Sequence, residues 1–104
     1  MRDLNKVIVS GRATKDAEYK EVNGVKIATF TLACSYDQTT SFLPVICFNG
    51  LAEIASQYVS KGKVIQLEGI IKQNRFQNKE GKNRSRLTII AQKIHLRGGK
   101  KTEG

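Results

Sequence analysis

The alternation of apolar and polar residues along the chain predicts a protein built mostly of β-strands. β-branched and aromatic residues gather in short runs that are separated by turn-forming residues. Such runs are typical of strands. The pattern predicts three strands at residues 4–12, 25–35 and 42–49, followed by two long strands at 63–76 and 83–96.

Two local signals interrupt this pattern. Asn23 and Gly24 lie between two strand-like segments, and an Asn-Gly pair is a strong short-range signal for a hairpin turn. Over residues 51–60 the apolar spacing becomes i, i+3, i+4, which predicts one helix, and Lys61 and Gly62 supply a C-terminal stop. The apolar stripe of this helix consists of Leu51, Ile54, Ala55, Tyr58 and Val59.

The order of these elements predicts the fold class. Three strands, one helix and two further strands are the element order of the five-stranded OB-fold barrel, an all-β architecture with one short α-helix between strands 3 and 4. A chain of 104 residues is long enough for one small domain. We expect that domain to occupy residues 1–96, and we expect residues 97–104, which are poor in apolar side chains, to form a flexible basic tail.

Two-residue parity along a strand separates side chains that face the core from those that face outward. On the second predicted strand, Ala28, Phe30 and Leu32 are expected in the core, and Phe30 and Tyr58 are both interpreted as structural. The fourth strand has an apolar set and a polar set. The set expected inside is Ile65, Leu67, Gly69 and Ile71, and the outward set includes Lys72, Asn74 and Phe76.

The third predicted strand is apolar on both faces. Phe42, Pro44, Ile46 and Phe48 alternate with Leu43, Val45 and Cys47. Because only one face can pack against the domain's own core, the other is expected to meet nucleic acid or another subunit. We interpret Phe42 as a base-contacting residue, whereas Phe48 fits base contact and ordinary packing equally well. Tyr36, which opens a polar loop over residues 36–41, either stacks on a base or covers the end of the barrel.

Positive charge is concentrated in the second part of the chain. The formal net charge is +9, and residues 61–104 contain twelve basic and three acidic residues, whereas residues 1–60 contain six of each. Between residues 72 and 86, one acidic residue stands among six basic ones, which are Lys72, Arg75, Lys79, Lys82, Arg84 and Arg86. Such a cluster favours a polyanionic partner, the alternative being a solvated basic surface.

Phe76 lies inside this cationic cluster and on the outward face of its strand. Any base can stack on an exposed ring while neighbouring cations neutralise phosphates, an arrangement suited to single-stranded nucleic acid. The residues predicted to bind it are Tyr36, Phe42, Phe48, Lys72, Arg75, Phe76, Lys79, Lys82, Arg84 and Arg86.

Neither a catalytic nor a metal-binding motif is recognisable. Cys34 and Cys47 have no companion cysteines and His95 is the only histidine, so a four-ligand zinc site cannot be completed. We expect both cysteines to be small buried residues on neighbouring strands. Asp16 and Glu18 fit a solvated segment better than a catalytic pair. We therefore expect a binding protein without enzymatic activity, cofactor or metal.

The sequence also predicts the cellular compartment. No run of 18 or more apolar residues is present, and the N-terminus turns polar before a signal-peptide core could form. Two cysteines fall short of a disulfide framework. We expect a soluble cytoplasmic protein that does not bind membranes.

Several short segments, taken together and in order, resemble the bacterial single-stranded-DNA-binding proteins. They are NKVI at 5–8, GR at 11–12, IATFTLA at 27–33, LAE at 51–53, KG at 61–62 and EG at 68–69. The resemblance implies an OB fold, usually a homotetramer, although a dimer is compatible with it. It also implies sequence-independent binding of single-stranded DNA in replication, recombination and repair.

By position, Phe42, Phe48 and Phe76 fall where this family uses aromatic residues for base stacking. The family commonly has tryptophan at the positions of Phe42 and Phe76, and this chain contains none. Because phenylalanine offers a smaller π-surface, we expect stacking to be retained but weaker.

The C-terminal sequence departs from the family. Family members typically continue into a flexible tail whose acidic end recruits replication and repair proteins, and residues 100–104 carry no such peptide. The alternatives are a trimmed domain, a naturally tailless form such as one from a mobile element, and a relative of primosomal replication protein B that bridges helicase-loading factors. An RNA-binding OB domain is a third functional class, because nothing in the sequence identifies a contact to the 2′-hydroxyl.

Overall fold

Six strands and one helix make up residues 3–96, the part of the chain that the computed structural model describes. The predicted tail at 97–104 lies outside the described residues. The elements are β1 (Val7–Ala13), β2 (Glu18–Val22), β3 (Val25–Tyr36), β4 (Thr39–Phe48), α1 (Gly50–Tyr58), β5 (Val64–Gln77) and β6 (Asn83–Leu96).

Five of the strands pair in a closed ring. β1 pairs antiparallel with β5, β5 with β6, and β3 with β4, while β4 and β6 pair in parallel. β1 closes the ring by pairing with β3 at Arg12 and Ala13. β2 pairs with β3 outside the ring, through a turn in which Asn23 and Gly24 have positive φ. The predicted element order is confirmed, and β2 is the first arm of the predicted hairpin.

Two predicted boundaries differ from the structure. β1 begins at Val7 rather than residue 4, because the side chain of Asn5, not its backbone, pairs with β5. The loop predicted over 36–41 contracts to a two-residue turn, since Tyr36 already pairs with Thr39 and Asp37 has a positive φ. This short turn extends β4 forward to Thr39, so that Phe42 lies within the strand.

The core fills the inside of the ring and is covered by α1, which packs against β3, β4 and β6. Parity identified most of its residues on two strands. The residues Ala28, Phe30 and Leu32 on β3 and Ile65 and Leu67 on β5 are all buried.

Two core predictions were wrong. Ile54 was assigned to the buried stripe of α1 but is exposed, whereas Ala52, which was not assigned to it, is buried. Ala55 in the helix and Val59 directly after it are buried as expected. Ile71 was expected inside but is exposed, because β5 continues past the end of the core.

Gly69 lies at a β-bulge where β5 crosses β6 at close range. A Cβ atom at this position would stand 2.9 Å from the carbonyl carbon of Ile90 and 3.1 Å from the Cα of Ala91, and closer still to the Ile90 carbonyl oxygen. Both strands belong to the ring, so neither can move without disturbing its other pairing.

We therefore expect Gly69→Ala to destabilise the protein by about 1–3 kcal/mol, the usual cost of overpacking. Urea unfolding followed by circular dichroism measures this change. Gly50→Ala is the matched control, because a Cβ at Gly50 meets nothing within 4 Å. Equal midpoints for the two variants would show that the crossing is not tightly packed.

The two cysteines are free and differ in burial. Cys47 faces the core and is buried as expected, whereas the expectation that Cys34 is buried was wrong, because that side chain is partly exposed. The register pairs Cys47 with Ala28 and Cys34 with Ser41, so the cysteines lie on neighbouring strands but six residues apart along β3. Burial raises the pKa of the Cys47 thiol to about 12.

Iodoacetamide at pH 8 is therefore expected to label Cys34 in the folded protein and to leave Cys47 unmodified, since the thiolate is the reactive form. Mass spectrometry should find one adduct on the folded protein and two after unfolding in urea. A Cys34→Ser variant should carry none when folded. Rapid labelling of that folded variant would contradict the assigned burial.

Candidate functional site

The hairpin of β5 and β6 extends beyond the ring as a two-stranded arm, defined as residues 72–88. β1 stops pairing with β5 at Gly69, and β4 pairs with β6 only at Ile89 and Ile90. Beyond these points the two arm strands pair only with each other. An isolated two-stranded hairpin is marginally stable in water. The arm therefore depends on its attachment to the ring.

Asn5 supports the arm at its base. Its Nδ2 donates a hydrogen bond of 2.8 Å to the carbonyl oxygen of Ile71, and its Oδ1 accepts one of 2.9 Å from the Ile71 amide. The side-chain amide of Asn5 thus makes the two hydrogen bonds with Ile71 that a neighbouring strand would otherwise make. Ile71 is the last residue before the arm, which begins at Lys72.

The arm has two faces with different composition. Antiparallel partners share a face, and the register pairs Lys72 with Thr88, Asn74 with Arg86, and Phe76 with Arg84. The opposite face carries Gln73, Arg75, Ser85 and Leu87, and Lys79 and Lys82 lie in the turn at the tip.

The outward face of β4 is continuous with the Phe76 face of the arm. Phe42 is 65% exposed and Phe48 is 37% exposed, with half-buried Pro44 and Ile46 between them. The register joins Ile46 to Ile90 on β6, which in turn pairs with Ile70 on β5. The outward side chains of β3, β4, β6 and β5 together form one surface, which we name the β4–arm face.

A groove of about 570 Å³ lies across this face. Its floor is apolar or hydroxyl-bearing, and one wall comes from the segment between β1 and β2 while the other comes from the base of the arm. The floor includes Thr29, Thr31, Pro44, Ile46, Thr88 and Ile90. The walls include Lys15, Asp16 and Glu18 on one side and Lys72, Asn74 and Arg86 on the other.

The charge of the two walls is unequal. Asp16 and Glu18 offset Lys15 on the β1–β2 side, and Asp16 Oδ1 accepts a hydrogen bond of 2.9 Å from the Lys61 amide. Lys72 and Arg86 form the cationic wall at the arm. An anionic chain in the groove would therefore place its phosphates on the arm side.

A second concavity, of about 530 Å³, lies along the arm. Arg75, Phe76 and Arg84 contribute to its lining. Phe76 is 43% exposed, and the Arg86 guanidinium lies over its ring at 5.5 Å from the centroid. This geometry corresponds to a cation–π contact.

The structure brings some of the predicted binding residues together and separates others. Six of them share the β4–arm face, namely Phe42, Phe48, Phe76, Lys72, Arg84 and Arg86. Arg75 lies on the opposite face of the arm. Tyr36 is 84% exposed and pairs with Thr39. Its position along β3 puts it on the same side of the strand as the core residues, not on the outward side. The binding role of each remains a prediction.

Sequence reasoning missed the groove itself. Lys15, Thr29, Thr88 and Ile90 were not singled out, although they line it. Two-residue parity already places Thr29 opposite the core residues of its strand, and the same signal could have placed Thr88 on an outward face. The role of Asn5 had no sequence signal, because it depends on a partner 66 residues away.

A separate cluster of charges surrounds Glu68 on the outer side of β5. Its Oε1 lies 3.0 Å from Lys6 Nζ, and its Oε2 lies 3.3 Å from His95 Nε2. The hydrogen bonds from Lys6, and secondarily from His95, lower the pKa of the Glu68 carboxyl. Within residues 3–96, no group of three or more His, Cys, Asp or Glu residues could hold a metal ion.

Among the described residues, no helix has both the length and the apolar composition needed to cross a membrane.

The ring of five strands with one helix, together with an outward face that carries exposed rings and cations, defines a small OB-fold protein. The chain belongs to the single-strand binding protein family, whose family model matches residues 4–97.

Several relatives carry the name single-stranded DNA-binding protein. One from Neisseria meningitidis serogroup A is 34% identical over 107 residues, which cover 93% of this chain and 62% of that protein. One from Treponema pallidum is 32% identical and covers 94% of this chain and 60% of its own length. One from Thermotoga maritima is 29% identical, and the match covers 99% of this chain and 80% of that protein. The chain thus spans less than two thirds of the first two relatives.

The Asn5 contact yields a prediction about the base of the arm. Asn5→Ala removes the acceptor for the Ile71 amide, so we expect hydrogen exchange at that amide to accelerate at least about tenfold, because a free N–H exchanges without local opening. Amide exchange measured by NMR provides the test. Asn5→Asp is the matched control, since it keeps an acceptor oxygen. Unchanged protection of Ile71 in Asn5→Ala would show that the side chain does not hold the arm.

Proposed function

We propose that this chain binds single-stranded DNA without sequence preference along the β4–arm face. The observation that carries the proposal is that Phe42, Phe48 and Phe76 all project, exposed, from one continuous sheet surface beside a cationic wall. Large exposed rings on a small protein mark a binding surface. Relatives named single-stranded DNA-binding protein support the same class of ligand.

The composition of the groove supports sequence-tolerant binding. Every base has a π-face that can stack on an aromatic ring, and each stack is worth about 1–3 kcal/mol. The groove floor consists largely of Pro44, Ile46, Ile90 and threonines, which form no converging set of hydrogen-bond donors and acceptors. In a duplex the bases already stack on one another, so their faces cannot reach these rings. Single strands should therefore bind more tightly.

The cations have a separate role in this proposal. Lys72, Arg84 and Arg86 neutralise phosphates beside the stacked bases, and Lys79 and Lys82 extend this field to the tip of the arm. Arg75 and Tyr36 act at the edges of the binding surface, because their positions along the strands place them on the side opposite the β4–arm face.

The proposal includes a homotetramer, with a dimer as its simplest subassembly. Residues 7–11 of β1 pair with β5 on one side only, and Ile8 on that strand is an exposed apolar residue. An open strand edge beside an apolar side chain favours association with a second copy. Light scattering with and without a long single strand measures the assembly.

In the cell, we propose that the chain coats single-stranded DNA during replication, recombination and repair in the cytoplasm. Its role there is binding rather than catalysis. The free thiols of Cys34 and Cys47 are compatible with a reducing compartment.

The direct test is a titration with fluorescent oligonucleotides at several salt concentrations. We expect binding to single strands of any sequence. A plot of log K against the logarithm of the salt concentration should fall with a slope of about 0.7 for each neutralised phosphate. Phe42→Leu and Phe76→Leu should each weaken binding by about 1–3 kcal/mol through lost stacking. Tyr19→Leu is the matched control, because Tyr19 is 41% exposed but pairs with Ala28, in register with the core-facing side.

The outcomes separate the alternatives. Equal affinity for single- and double-stranded DNA would reject the proposal, and tighter binding to a matched RNA strand would favour the RNA-binding class. A loss in Tyr19→Leu as large as that in Phe76→Leu would move the site away from the β4–arm face.

A further inference from the structure

Arg86 lies on the β4–arm face, where it forms part of the arm-side wall of the groove. It lines the groove, while Phe76 lines the concavity along the arm. Its direct cross-strand partner is Asn74, so it is a diagonal neighbour of Phe76 on the same face. The guanidinium reaches across this diagonal and covers one side of the Phe76 ring at 5.5 Å from the centroid.

We propose that Arg86 is a positioning residue for Phe76. It holds the ring by one face, so that the other face is left open to a base. This inference rests on the proposed function and deepens it by assigning two residues of the same surface to one unit.

The need for such support follows from the position of Phe76. The ring lies on the free part of the arm, outside the buried core, and is 43% exposed. A side chain that must be immobilised on binding reduces the affinity by its lost rotamer freedom. A planar guanidinium over the ring restricts it before DNA arrives, whereas a lysine ammonium at the same position supplies charge without a flat surface.

The structure also provides a matched comparison. Arg84 is directly opposite Phe76 and on the same face, whereas the guanidinium that lies over the Phe76 ring is that of Arg86. If both arginines acted only through charge, replacing either with lysine would have similar effects. If Arg86 acts through the ring, only its replacement should depend on the presence of Phe76.

A double-mutant cycle tests this difference. We expect Arg86→Lys to weaken single-stranded DNA binding about three- to tenfold when Phe76 is present, the range that follows from immobilising one side chain. In the Phe76→Leu background the same change should have less than about a twofold effect. The salt dependence should stay unchanged because the charge is kept. Arg84→Lys, the control, should have the same effect in both backgrounds.

A second measurement needs no DNA. The chain has no tryptophan, so Phe76→Trp introduces a single tryptophan at the site, whose fluorescence can be excited separately from that of the three tyrosines. Adding Arg86→Lys to that variant should increase quenching of its fluorescence by acrylamide, because one ring face becomes uncovered. Arg84→Lys should leave the quenching unchanged. Urea midpoints equal to that of the parent protein would show that all variants are folded.

Additive losses for Arg86→Lys and Phe76→Leu in a protein that binds single-stranded DNA would overturn this inference and leave the proposed function intact. Unchanged acrylamide quenching would overturn it as well. If the unsubstituted protein failed to bind single strands, the proposed function would fail, and the role of Arg86 in DNA binding would fail with it.

Discussion

The architecture depends on one constraint, which is that a strand can bury only one of its two faces in a single small core. β4 is apolar on both. Val45 and Cys47 are buried inside the ring, and this inward packing forces Phe42 and Phe48 to the outside. Because β3 and β6 pair with β4 on either side, their outward threonines and Ile90 are brought beside those rings. The groove is thus a consequence of how the core is filled.

Ring closure imposes the second constraint. β1 reaches both β5 and β3, but β5 and β6 are each 14 residues long and cannot be paired with other strands over their full length. The excess projects as the arm. It lacks a core of its own, so its order comes from the ladder between its two strands and from the Asn5 contact at its base. A surface built on such an element can adjust to an irregular ligand more easily than one built on the ring.

Much of the fold could be predicted from local patterns. The Asn-Gly turn, the order of strands and helix, and the buried sets on β3 and β5 all depend on neighbours in sequence. The errors share a different cause. The exposure of Ile71 depends on where other strands stop, and that of Ile54 on which side of α1 meets the sheet. For the candidate site, grouping cations by closeness in sequence placed Arg75 with Phe76, although parity alone assigns them to opposite faces.

The cations of the arm also have a structural role in the protein without ligand. Both arm strands have edges without a strand partner, and such edges invite pairing with other chains. Lysine and arginine side chains along an edge oppose that pairing through charge repulsion. Arg75 and Arg84, which lie on the arm strands, can therefore keep the free arm from associating, and the same charges suit it to a polyanion. Charges that oppose pairing with another strand attract a polyanion, so the same residues meet both requirements on the part of the fold with the fewest strand partners.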